Sequence, residues 1–354
     1  MVIASCLGGM ASLGLMVTLI SGVLQGTMLT PMKYLRKWEW ENIWIVFAFS
    51  GYMLLPWVFA ALTIPHLMAV YESTTAGALL RTALYGAGWG CAAVLFGLGI
   101  RMVGLALGYS IILGLGTSVG ALVPLATLQR EKLWEPAGLG TIAGVVMLVT
   151  SVFLFAVAGK QREACLQKGK DSAQATVSGD TGAEGRFVTG LVLCILCGLL
   201  NPCINFALAY GAEIQSQAIE RGANPAVAAN AIWVIVANAG FIPNLFYCLY
   251  LLTRRRTWNR FASVAPSHWM LAPAMGFMWI AGTVLYGVGA AWMGQLGPVV
   301  GWPLLMCSMI LAATFWGFVS GEWKGIVGKP IRVMTVGLVV LILAIGVLGW
   351  TSRL

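Results

Sequence analysis

A chain of 354 residues that is 59% hydrophobic and only 9% charged cannot cover a water-facing globule of its own size, because soluble domains carry about 25% charged residues. Lipid is the solvent that suits such a surface, and 44 glycines and 15 tryptophans fit close helix contact and interfacial anchoring in a bilayer. The net charge of +9 does not mark a nucleic-acid binder, since the basic residues lie in short clusters between apolar runs, as cytoplasmic loops do.

A membrane helix needs about 20 mostly apolar residues, and ten stretches qualify: 7–30, 42–64, 79–100, 103–127, 137–158, 187–211, 227–252, 269–292, 297–319 and 332–351. The first has no Lys or Arg before it and no cleavage pattern, so it reads as a retained helix and not a signal peptide. Thr18, Ser21 and Gln25 lie on one side of it. The third carries Trp89 among Gly86, Gly88 and Gly90, and on the fourth Ser110 and Thr117 share a face. The polar stretch 159–186 reads as a cytoplasmic linker between a first five-helix repeat (1–158) and a second (187–354).

The sixth helix holds Cys194 and Cys197 in mid-membrane, where two small residues on one face are expected in place of a redox pair. Asn201 and Asn205 follow, four apart, with Pro202 between them to free a backbone carbonyl. On the seventh, Asn230, Trp233 and Asn244 align and Asn238 lies to one side. On the eighth, Trp279, Thr283 and Tyr286 align. The eight cysteines and two histidines, His66 and His268, form no metal-binding pattern, so no metal or cofactor is expected.

Sixteen of the 21 Lys and Arg residues fall in the odd-to-even loops, from Lys33, Arg36 and Lys37 to Lys324, Lys329 and Arg332. That face is expected to be cytoplasmic, with both termini periplasmic in a bacterial inner membrane. An internal match supports the division into halves. Gly86, Trp89, Val94, Leu95, Gly97, Gly99 and Gly104 recur 190 residues later as Gly276, Trp279, Val284, Leu285, Gly287, Gly289 and Gly294. Helix 3 would run inward and helix 8 outward, which makes the halves inverted repeats, the arrangement of secondary transporters with a midplane substrate site.

Polar groups in hydrocarbon should face the interior or a wet cavity. Amides, hydroxyls and flat aromatic faces suit an uncharged polyol, which makes Gln25, Trp89, Asn201, Asn205, Trp233, Asn238, Trp279 and Tyr286 the candidate substrate-binding residues. Any one of them could instead bridge helices. Acidic residues sit in loops or at helix ends. Glu213 is the leading proton-coupling candidate, with Glu41 and Glu322 at the cytoplasmic boundary behind it. A membrane enzyme would need a catalytic cluster of His, Asp, Glu or Cys at one face, and the sequence has none.

The stretch TPMKYLRKWEWENIW (Thr30 to Trp44), LLPW (Leu54 to Trp57), GAGWGCAAVLFGLGIRMVGLALGYSI (Gly86 to Ile111) and GFVSGEWKG (Gly317 to Gly325) together resemble the L-rhamnose–proton symporter family of the drug/metabolite transporter superfamily. The resemblance runs over nearly the whole chain. It implies an all-α membrane fold of ten transmembrane helices in two inverted five-helix repeats. It also implies import of L-rhamnose or a related deoxy sugar by alternating access, with protons as the coupling ion, and it adds Lys33, Lys37, Trp38, Trp40 and Glu41 as pattern positions. The alternative on the same fold is a metabolite or drug exporter. The expected partners are thus a sugar, protons and the lipid bilayer, with no nucleic acid.

Overall fold

The structure, a computed structural model, describes residues 2–103, 105–168, 182–262 and 265–353. Among these, every regular element is helical. Ten helical segments are long and apolar enough to cross a membrane. Span 1 is Gly9–Tyr34, span 2 Trp40–Thr63, span 3 Ala76–Ile100, span 4 Ser110–Leu128 and span 5 Pro136–Arg162. Span 6 is Phe187–Glu220, span 7 Asn230–Arg255, span 8 Pro266–Trp292, span 9 Gly294–Val319 and span 10 Lys329–Thr351. The protein is a multi-pass membrane protein.

The ends shared by odd-to-even loops meet on one side. Lys33 pairs with Glu322 at 2.9 Å, and Arg255 pairs with Glu41 at 3.0 Å. This is the basic end of the bundle. At the opposite end Thr75 meets Glu213.

Spans 2 and 6 depart from simple helices, and span 5 runs longer than its apolar stretch. The helix of span 5 runs from Pro136 to Lys168, past residue 158, where the sequence suggested a stop. Gln161, Arg162, Ala164 and Leu166 are good helix formers and carry it beyond the apolar stretch. Span 6 breaks at Asn201–Pro202, between helices Gly182–Leu200 and Cys203–Ala209, because Pro202 has no N–H for the carbonyl of Gly198.

Span 2 is a helix (Trp40–Ala48), a π segment (Phe49–Leu54) and a second helix (Leu55–Thr63). Pro56 causes the widening. Its ring would clash with the carbonyl of Tyr52 in a regular helix and it cannot bond that carbonyl. Leu55 therefore donates to Ser50, five residues back.

Span 1 packs on spans 8 and 9, and span 6 packs on spans 3 and 4. Span 7 lies on span 3 as span 2 lies on span 8, and spans 5 and 10 pack on each other. Glycine makes these approaches possible. A Cβ at Gly90 would lie 2.3 Å from the carbonyl oxygen of Gly240 in span 7, and one at Gly14 2.8 Å from that of Gly289 in span 8.

Span 9 is the most enclosed. A helix apolar all round, as GPVVGWPLL and the residues after it are, belongs in the middle of a bundle. Lipid-facing positions elsewhere are large and apolar, such as Leu13, Leu62, Leu80, Phe153 and Phe246. Cys194 and Cys197 are buried with Ala92 and Ile112, and the thiol of Cys197 donates to the carbonyl of Ala92. Both thiols are free.

Candidate functional site

A cavity of about 220 Å³ lies between spans 1, 2, 3, 4, 6, 8 and 9. Its walls run from Asn201, Tyr286 and Trp302, past the middle of the bundle, to Met28, Leu29, Ile310 and Ala313 near the basic end. Aromatic rings dominate it: Trp44, Tyr52, Trp89, Phe96, Trp279, Tyr286 and Trp302. Trp89 and Trp279, equivalent positions in the internal match, stack on one another with centroids 5.1 Å apart and 19° between planes. Tyr52 stands edge-on to both, at 4.9 and 4.6 Å. One face of each indole is thus covered by the other.

Five of the eight residues expected to bind substrate line this cavity: Gln25, Trp89, Asn201, Trp279 and Tyr286. The other three lie outside the wall. Asn205 is fully buried behind Tyr286 and accepts its hydroxyl proton. Its amide donates to the carbonyls of Gly120 at 2.9 Å and Pro298 at 3.0 Å. The first of these is the carbonyl that Pro124 cannot bond.

Asn238 makes the same kind of repair. It donates at 2.9 Å to the carbonyl of Tyr52, the one that Pro56 leaves without a donor, and accepts from the indole of Trp57 at 3.0 Å. Trp233 is buried, 6.5 Å from the ring of Tyr286, and its indole N–H has no partner among the described residues.

The remaining intramembrane amides are also committed to protein. Asn230 donates to Thr63. Asn244 donates to Gly90 and Gly240 and accepts from Trp44. Gln25 and Asn201 differ. Among the described residues neither side-chain amide has a hydrogen-bond partner, and both face the cavity. A polar group without a partner in a membrane interior is costly, and these two amides have hydrogen-bonding capacity to spare at the cavity wall. The hydroxyl of Thr283 lies beside them but donates to the carbonyl of Trp279.

Sequence reasoning missed Trp44, Tyr52 and Trp302 as wall residues. They sit in spans without polar periodicity. Their one signal is a large ring with a polar edge inside an apolar helix, which needs a partner there: Trp44 Nε1 donates to Asn244 at 2.8 Å and Trp302 Nε1 to Gly116 at 3.0 Å.

The three proton-coupling candidates all lie off the cavity, whose described wall holds no ionisable carboxylate or cation. Glu213 accepts the backbone N–H of Thr75 at 2.7 Å and its hydroxyl at 3.1 Å. Thr75 immediately precedes the helix Ala76–Val103, so Glu213 caps a helix N-terminus, where a negative charge is favoured. Glu322 is half-exposed and pairs with Lys33. Glu41 is fully buried, paired with Arg255 at 3.0 Å and bonded by the hydroxyl of Thr257 at 3.0 Å.

A comparison with protein-family models matches residues 8–352 to the family described as L-rhamnose-proton symport protein (RhaT). The chain belongs to the L-rhamnose-proton symport protein family. Similar curated proteins are each called L-rhamnose-proton symporter. One from Cronobacter sakazakii is 28% identical, one from Klebsiella pneumoniae 27% and one from Escherichia coli 28%. Each match covers 96% of this chain and 97% of the relative.

The family-pattern stretch from Lys33 to Glu41 lies at the basic end, and none of its residues lines the cavity. Trp38 Nε1 donates to the carbonyl of Arg260 at 3.1 Å. Trp40 stacks on Trp44 at 5.0 Å. The carbonyl of Lys37 accepts from Arg260. In this member of the RhaT family the stretch ties the start of span 2 to the connection between spans 7 and 8.

Proposed function

We propose that this protein is a secondary active transporter that imports L-rhamnose or a related deoxy sugar together with protons across a bacterial inner membrane. Membership of the L-rhamnose-proton symport family supports the reaction, and the cavity supports the substrate class. The single observation that carries the site is the pair of uncommitted amides, Gln25 and Asn201, in an uncharged aromatic cavity. Amides bond hydroxyl groups, rings cover the apolar face of a sugar, and the absence of charge disfavours ionic substrates.

In this reading Gln25 and Asn201 hold sugar hydroxyls, Trp89 and Trp279 contribute ring surface to the wall, and Tyr286 presents a hydroxyl positioned by Asn205. Trp233 and Asn238 support the wall. The exporter alternative has no observation in its favour.

Alternating access between two inverted five-helix repeats, 1–158 and 187–354, completes the proposal; the connection between them, expected at 159–186, is helical at 159–168 and 182–186, and 169–181 lie outside the described residues. The packing supports it, because exchanging the halves maps contacts of span 1 with 8 and 9 onto those of span 6 with 3 and 4. The basic end would face the cytoplasm and both termini the periplasm, so the cavity would run toward the inside.

The test is uptake of labelled L-rhamnose by cells lacking a rhamnose carrier, with and without a protonophore. Accumulation that the protonophore abolishes is the expected result. No uptake above empty vector, with the protein shown to be in the membrane, would refute the substrate, and uptake indifferent to the protonophore would refute the coupling.

A further inference from the structure

A proton-coupled carrier needs a group that binds and releases the proton, and the described cavity wall has no carboxylate to do so. Among the described residues Glu41 is the one fully buried carboxylate. It sits in the first turn of span 2, and three residues on, Trp44 lines the cavity, so the two share a helix face.

The start of span 2 is stapled to residues 255–260 by several bonds. Arg255 and Thr257 hold the two oxygens of Glu41, Asn42 donates to the carbonyl of Thr257 at 3.0 Å, and Arg260 pairs with Glu39 at 3.0 Å. Just beyond the cavity-lining turn comes the π segment Phe49–Leu54, which contains Tyr52. Such an irregularity is a natural place for a helix to bend. Span 2 thus joins a buried ion pair, the cavity wall and an irregular helical segment in one element.

We propose that Glu41 is the residue that carries the coupled proton, with Arg255 as the cation that displaces it. The inference rests on the symport reading above. In the arrangement described, the cavity runs toward the basic end and the Glu41 carboxylate is ion-paired and hydrogen-bonded. Arg255, with 38% of its side chain exposed, connects the site to water on that side. In the opposite arrangement Arg255 withdraws. A buried carboxylate without its cation takes up a proton, since an uncompensated charge in an apolar interior is far costlier than a neutral acid. The proton taken from the outer side is handed to water at the basic end when Arg255 returns.

The other charged and titratable groups nearby are accounted for. Span 7 brings Cys248, a buried thiol, and Arg254, which bonds the hydroxyl of Tyr250. The following connection brings Arg260, held by Glu39. Span 8 brings His268, buried edge-on to Trp38 at 5.4 Å. Lys37 and Glu39 precede Glu41 on its own segment.

The test uses the purified full chain in proteoliposomes. Sugar exchange at equal pH, which needs no net proton movement, is measured beside sugar-induced proton uptake and accumulation driven by a pH gradient. Glu41→Gln keeps the shape and one oxygen. It is expected to exchange L-rhamnose within about twofold of wild type while losing proton uptake and gradient-driven accumulation. Glu213→Gln is expected to keep all three.

Glu41→Gln that still accumulates sugar under a pH gradient would overturn the proposal, as would loss of coupling in Glu213→Gln alone. Should Glu41→Gln fail to assemble, Arg255→Gln decides. Removing the cation should move the pH profile of exchange to higher pH, and an unchanged profile would overturn the assignment. A wild-type protein that exchanges sugar without proton uptake would instead refute the symport reading itself.

Discussion

Pro56 and Pro124 each leave one carbonyl, on Tyr52 and Gly120, without its helical donor, and the side chains of Asn238 and Asn205 supply the missing N–H groups. Asparagine at these positions is a repair made across helices. Asn238→Ala should therefore lower the melting temperature of the detergent-solubilised protein, with a cost of about 1–3 kcal/mol for the orphaned carbonyl. Pro56→Ala restores a backbone donor, so the same substitution in a Pro56→Ala background should cost less. Equal losses in both backgrounds would refute the pairing.

Gln25 and Asn201 are expected to behave differently. Gln25→Ala or Asn201→Ala should raise the KM for L-rhamnose about tenfold, as loss of one good hydrogen bond implies, and leave thermal stability nearly unchanged. Direct binding measurements and melting curves on the same samples separate the two classes of amide.

At the scale of elements, the close approaches decide which helices stay together. Gly90 lies against Gly240 so tightly that Gly90→Val must push span 3 off span 7. That change should abolish or severely reduce folded protein in the membrane, because backbone cannot yield as a side chain can. Gly97, on the same helix, has open space where a Cβ would stand, so Gly97→Ala should leave expression and melting temperature within experimental scatter. Fluorescence-detected size-exclusion profiles of the two variants would check both. The break at Asn201–Pro202 has a functional reading of the same kind. An uninterrupted helix would not carry the irregular backbone that accompanies an uncommitted amide at the cavity wall.

Across the whole molecule, the cavity extends toward one end. Residues Met28, Leu29, Ile310 and Ala313 lie on the basic side, and the opposite end is closed by Tyr286 on Asn205 and by Trp302 on Gly116. A cysteine placed at Ala313 in a background freed of native cysteines should react with a membrane-impermeant maleimide in inside-out vesicles. L-Rhamnose should slow that reaction. Labelling only in right-side-out vesicles would reverse the orientation, and labelling that ignores sugar would remove the cavity from the transport path.

Membrane residence, the number of spans and the basic end were legible in the sequence because hydrophobic run length and the placement of Lys and Arg are local properties. The family was legible in the motifs around Lys33 to Trp57. Helical spacing also turned Gln25, Asn201, Trp279 and Tyr286 toward the interior, where they line the cavity, since a polar or aromatic residue in an apolar helix must turn away from lipid. It could not separate an amide that faces the cavity from one that meets a carbonyl of another helix. Asn205 and Asn238 look like Asn201 in sequence, and only the tertiary structure brings the carbonyls of Gly120 and Tyr52 within reach. The same limit hid the burial of Glu41. The burial of an acid near a span end depends on what packs over it, and for Glu41 that cover, Arg255 and Thr257, lies over two hundred residues away in the chain.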